Sequence, residues 1–195
     1  MVTGEAISDA EAYLGRSGFS DKDRVIAVAP GGGKSWGDKA IFKQWDPERF
    51  ARAVNLFAER DGCKVVVLGD KSEEELLKRT AAMIEPASLV VSGEPFDRVC
   101  ALLLRSEFLL CNDGGLLHLG NALGVKTVSI FGPVDEKVYG PYGDGTPHIV
   151  LSEPVPCRPC YQYFYFPPCP YERRCLCELG AEKVVAALEK IAYSH

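Results

Sequence analysis

Apolar positions in this chain fall on two periods. Short, almost unbroken apolar runs occupy 25–29, 64–68, 88–91, 108–111 and 127–130. They are rich in Val, Leu and Ile and show no polar alternation, as expected of strands buried on both faces of a parallel sheet. Between them the spacing changes to the helical one. Phe50, Ala53, Val54 and Phe57 recur at i, i+3, i+4 and i+7 behind Asp46-Pro47, an N-cap followed by a residue preset for the first helical turn. A further helix follows 64–68, with Ser72 and Glu75 at capping-box spacing and Glu73 left free. Phe96, Val99, Leu102 and Leu103 mark another, 116–123 another, and Val184, Val185, Leu188 and Ile191 a closing one. A leading helix over 5–17 turns Ala6, Ala10 and Leu14 inward, with Ala12 and Tyr13 beside them. Residues 133–147 read as too irregular for a helix, and 148–151 as an edge strand. Strand and helix thus alternate through short loops, which predicts an α/β fold: a Rossmann-like, doubly wound parallel sheet in a single domain over 1–195, carrying a cysteine-rich loop at 157–177.

Composition agrees with that reading and narrows the partners. A chain of 195 residues buries roughly 70% of its unfolded surface and needs no staple. The formal charge of −5 argues against a broad nucleic-acid surface. The N-terminus has no basic and apolar leader, and no apolar run reaches the ~20 residues of a membrane span, so no transmembrane segment and a cytoplasmic location are expected. Of eight cysteines, Cys63, Cys100 and Cys111 sit in or beside apolar elements as small core residues. The other five crowd into 157–177.

Chemistry is expected where strands end. In open α/β sheets ligands bind outside the carboxyl edge, where glycines admit backbone to phosphate and a following helix N-terminus attracts anions. The turn Asn112-Asp113-Gly114-Gly115, followed by His118, fits such a mouth. Taken alone, Asp113 reads equally as an N-cap, His118 as a satisfied helix histidine, Lys43 as a solvated lysine and Glu73 as a first-turn charge. The glycine run 31–33 also follows a strand, but Val28 stands where a Walker loop needs its first glycine. It reads either as a different Gly-rich contact loop or as a plain mobile one. A nicotinamide domain is disfavoured by the missing Gly-x-Gly-x-x-Gly.

Four features then occur in order: Ala29-Pro30-Gly31, Lys43-Gln44-Trp45, Asp113-x-Gly115-x-x-His118 and Phe131-Gly132-Pro133, followed by the loop Cys157-Arg158-Pro159-Cys160. Together they resemble the C-terminal half of glycosyltransferase family nine, the ADP-heptose:lipopolysaccharide heptosyltransferases. The resemblance implies a two-domain GT-B architecture, of which this chain holds the nucleotide-sugar-binding half. It further implies transfer of heptose from ADP-heptose, or a related nucleotide sugar, to lipopolysaccharide inner core with no catalytic cofactor. The glycolipid acceptor and the general base would come through the N-terminal half, and the enzyme would lie in the cytoplasm, peripheral at the inner face of the inner membrane. Carried over by motif, Lys43 is the catalytic residue that binds the departing diphosphate, and Glu73 accepts from the ribose. Asp113 and His118 meet sugar and phosphate, while Pro30, Gly31, Gly114 and Gly115 let the backbone approach. Gly114 departs from the family, which usually has Ser or Thr there. The alternative is a stand-alone nucleotide-sugar-binding module without catalytic activity.

The cysteine loop has its own expectation. Cys157-x-x-Cys160 with Cys169 and Cys175 can form a tetrahedral thiolate site, most naturally for a structural zinc. An iron–sulfur cluster, Cys177 in place of Cys175, or a loop of free or paired cysteines are the alternatives.

Overall fold

The computed structural model describes residues 2–143, 145–163 and 165–194, and at 34–36 and 38 the backbone alone. Six strands, β1 (Val25–Ala29), β2 (Lys64–Gly69), β3 (Ser88–Ser92), β4 (Phe108–Asn112), β5 (Lys126–Phe131) and β6 (His148–Ser152), form one sheet in the order β3-β2-β1-β4-β5-β6. Every pairing is parallel. This is the doubly wound order of a Rossmann fold, with its reversal between β1 and β4.

Because side chains alternate across a strand, neighbouring residues feed two cores. Ile26, Val28, Val65, Val67 and Leu110 point to the layer of α2 (Pro47–Asp61), α3 (Glu74–Ala82) and α8 (Ala181–Ala192). Val25, Ala27, Val66, Leu68 and Leu109 point to that of α1 (Gly4–Arg16), α4 (Phe96–Arg105) and α5 (Gly115–Ala122). Phe57 and Phe108 meet edge to face at 5.5 Å and are fully buried, as is Phe50. Each such burial contributes about 1.5–3 kcal/mol. Asp46 caps α2 by accepting from the Glu48 amide at 3.0 Å, ahead of Pro47.

Several expectations change. The leading helix buries Ala10 and Leu14 but leaves Ala12 exposed. The glycine run leads into a 3-10 segment over Lys34–Phe42, kinked at Gly37, which the apolar pattern did not announce; the side chains of 34–36 and 38 lie outside the described residues. Residues 133–147 contain a short helix, α6 (Glu136–Tyr139), because Asp135 accepts from the Lys137 amide and supplies a cap. The cysteine loop contains another, α7 (Arg174–Cys177). Phe96 does not join the core: at the first position of α4 it overhangs the sheet edge, 68% exposed. The largest correction concerns α3. A capping box forms ahead of it from Asp70 and Glu73, not Ser72 and Glu75, so Glu73 is not free, and α3 itself starts after Glu73 with no side-chain cap. A 3-10 turn over Lys71–Glu73 precedes α3 and moves the cap two residues upstream.

Candidate functional site at the sheet switch point

The mouth is built by the ends of β1, β2 and β4. β4 ends in Asn112, which is buried and ties the neighbouring turns together. Its Nδ2 donates to the carbonyls of Pro30 (2.7 Å) and Gly31 (3.2 Å), and its Oδ1 accepts from the Trp45 amide at 3.0 Å. Trp45 is itself buried, with Nε1 donating to the Leu179 carbonyl at 3.2 Å. Sequence reasoning missed Asn112 as a site-building residue. Its signal is a lone amide closing an otherwise apolar strand just before Asp-Gly-Gly.

The next residue, Asp113, does not cap α5. Its carboxylate forms an ion pair with Lys43 Nζ at 2.7 Å, both side chains being less than one-tenth exposed. α5 begins after Gly114 with no side-chain cap, so its first amides face the mouth. Across from them, Glu73 Oε1 accepts from the amides of Gly32 (3.1 Å) and Gly33 (3.0 Å), while Oε2 accepts from Asp70 at 3.1 Å. This explains Gly31: a β-carbon there would lie 2.3 Å from Glu73 Oε1.

A cleft of about 430 Å³ opens beside these groups, within the size range of small-molecule sites. Asp70, Glu73, Glu94 and Asn112 give it polar side chains, Gly31, Gly114 and Gly115 backbone, and Leu68, Phe96, Val99, Leu116 and Leu119 apolar lining. Of the expected site residues the structure therefore gathers Gly31, Glu73, Gly114 and Gly115 on the cleft. Pro30 lies behind it through its carbonyl, and Lys43 and Asp113 form a buried pair next to the α5 N-terminus rather than part of its wall. His118 lies one turn into α5, its ring stacked on Tyr142 with centroids 6.3 Å apart. Tyr142 is held through its amide by Asn121 Oδ1 at 2.8 Å, and Asn121 Nδ2 lies 2.7 Å from His148 Nε2. Burial raises the Cys111 thiol, which stays an inert core group under the site.

Cys157, Cys160, Cys169 and Cys175 are free thiols away from the cleft walls. Burial raises the Cys160 thiol, and the charges of Cys157 and Cys169 raise it further; Cys175 is pushed up to about 11 by burial and then by Cys160. The four are thus electrostatic neighbours. Among the described residues, no three His, Cys, Asp or Glu side chains are drawn together as a metal-holding set.

Sheet order, glycine-lined mouth and bare helix N-terminus define a Rossmann-type α/β domain with a cleft at its switch point. The chain belongs to glycosyltransferase family 9, the heptosyltransferases, whose family pattern matches residues 5–164. It is 24% identical over 175 residues to lipooligosaccharide heptosyltransferase 2 of Campylobacter jejuni, a match covering 87% of this chain and 52% of that protein. Among solved structures, a family 9 glycosyltransferase from Veillonella parvula superposes with a TM-score of 0.78 at 25% identity, covering 98% of this chain and 53% of that one. The Escherichia coli heptosyltransferase WaaC with ADP gives a TM-score of 0.63 at 21% identity, covering 93% and 48%. The chain spans about half the length of the relatives it matches. No helix among the described residues is long and apolar enough to cross a membrane.

Proposed function

We propose that this chain is the C-terminal, nucleotide-sugar-binding half of a heptosyltransferase, taking ADP-heptose or a related donor and acting on a lipopolysaccharide-type acceptor only with the other half. One observation carries this reading: the bare N-terminus of α5 and the buried Lys43–Asp113 pair converge at the switch point beside a cleft lined by both apolar and polar groups. The apolar lining suits a base, and on this reading Glu73 exchanges a backbone amide for a ribose hydroxyl. The diphosphate belongs on the α5 amides, where the partial positive charge of the helix terminus favours it. Asp113 holds Lys43 in place before donor arrives. With donor bound, the ammonium is shared with phosphate oxygens and offsets the charge that grows as the glycosidic bond breaks. His118, Pro30, Gly31, Gly114 and Gly115 keep the roles implied by their motifs. ADP in the E. coli relative favours an adenine nucleotide here. Calorimetric titration of the chain with ADP, GDP and UDP tests the reading: ADP binds best, and Lys43→Gln weakens it by about 1–3 kcal/mol. No binding of any of the three, or a preference for UDP, would overturn it.

The same reading includes a structural zinc on Cys157, Cys160, Cys169 and Cys175, supported by four cysteines in one loop, near enough that their thiolates would disfavour one another without a cation between them. Metal binding would have to draw the sulfurs inward. Metal analysis of protein prepared under reducing conditions should find about one zinc per chain; metal-free protein with four titratable loop thiols would sink this part.

A further inference from the structure

The 157–177 loop lies apart from the cleft, yet it grips the segment that carries Lys43. Arg173 is half-buried, and its Nη1 donates to the carbonyl of Ile41 at 2.8 Å and reaches that of Gln44 at 3.5 Å, one on each side of Lys43. Two side-chain contacts run the same way: Phe166 packs on Phe42 with ring centroids 4.6 Å apart, and Lys39 Nζ lies 5.8 Å from the Tyr165 ring. Locally the Lys43 backbone is held by single-turn bonds, the Lys43 amide to the Ala40 carbonyl at 2.9 Å and the Gln44 amide to that of Ile41 at 3.4 Å. The 3-10 helix before it lacks a side-chain cap and is broken at Gly37, and its firm anchor on the sheet side is the Trp45 amide on Asn112. Arg173 also stands in left-handed backbone, φ 58, directly after Glu172 at φ 49. Such geometry at two successive non-glycine residues persists only where the surroundings hold it. The guanidinium spanning two carbonyls is such a hold.

We propose that Arg173 is a positioning residue for Lys43: it fixes the backbone on both sides of that lysine, so that the ammonium meets the diphosphate without first being ordered. This rests on the diphosphate reading above. A purely structural arginine and a positioning one differ at Arg173→Gly. Glycine takes the left-handed backbone without strain, so the thermal midpoint should change little, while the two carbonyls lose their donor. ADP affinity of the full chain is expected to fall about tenfold in Arg173→Gly, a loss on the scale of a charge-assisted hydrogen bond, and Arg173→Lys should recover part of it. In the Lys43→Gln background the same change should add almost nothing, because there is no ammonium left to place. Parent-like affinity in Arg173→Gly, or losses that multiply in the double variant, would overturn the proposal. If Arg173→Gly fails to fold, the Arg173→Lys cycle is read by the same rule. Hydrogen exchange of the 39–44 amides gives a readout that needs no nucleotide. Faster exchange there in the variant supports the positioning role even if the parent binds no ADP, whereas unchanged exchange overturns it. A parent that binds no nucleoside diphosphate would by itself overturn the proposed function alone.

Discussion

At the residue scale the Lys43–Asp113 pair dominates. Removing one partner of a buried pair leaves the other charge uncompensated, at a cost of about 3–5 kcal/mol. Lys43→Ala should therefore lower stability by roughly that amount in urea unfolding, whereas Lys43→Met combined with Asp113→Asn should recover most of it without restoring ADP binding. If Lys43→Ala unfolds at the parent's urea concentration, the pair is not buried as described. Gly31 carries a different constraint. Since a β-carbon would overlap the Glu73 carboxylate, Gly31→Ala must push Glu73 off the Gly32 and Gly33 amides and should cost about 1–3 kcal/mol. Gly114 is less restricted. Its φ of 176° is ordinary extended backbone, and a β-carbon would sit 3.5 Å from the Gly32 carbonyl oxygen, a normal contact. Gly114→Ser should fold like the parent, which thermal unfolding can check. Glu73 shows why part of the site was illegible along the chain. Beside the local Asp70 amide, its partners are the amides of residues some forty positions earlier, brought alongside by β1–β2 pairing.

At the element scale, strands and major helices were readable because each has one environment along its length. Continuous apolar runs suit strands covered on both faces, and the i, i+3, i+4 pattern suits helices covered on one. The short helices α6 and α7 were not readable, since four residues offer no period, and each depends on local capping or tertiary contacts. β6 carries a prediction of its own. His148 at its start lies between Asn121 and Thr127, the latter 2.9 Å from Nδ1, and burial holds its pKa below the ordinary 6.5. The folded state thus keeps this imidazole neutral, while the unfolded chain takes up a proton at the ordinary value. The resulting contribution to stability is complete above about pH 6.5 and is lost as pH falls through that value toward the depressed one. Between pH 7.5 and 5.5, His148→Gln should lose less stability than the parent. Equal losses would mean that His148 is charged in the folded state.

At the scale of the whole molecule, the donor should act as a stabilising ligand. ADP at ~100 times its dissociation constant adds about 2.7 kcal/mol, which for a chain of this size raises the thermal midpoint by roughly 5–10 °C. The shift should shrink in Lys43→Gln. Sugar transfer should appear only when the complementary half is supplied, because the proposed function assigns the acceptor site and the general base to that half. Turnover of ADP-heptose by this chain alone would contradict that division.

Sequence alone determined the class of the fold and the position of its mouth. Burial on two faces dictates strand composition, and the open end of a parallel sheet lies where its strands end, so periodicity and turn residues locate the cleft without coordinates. The motif set also carried the family, because those residues recur in fixed order. Only the tertiary structure decided which polar groups meet. That Lys43 is paired with Asp113, that Asn112 ties three turns together, and that Arg173 reaches back some 130 residues to the carbonyls around Lys43 depend on long-range packing. No local period encodes such contacts, since each partner is chosen by proximity across the sheet and not by spacing along the chain.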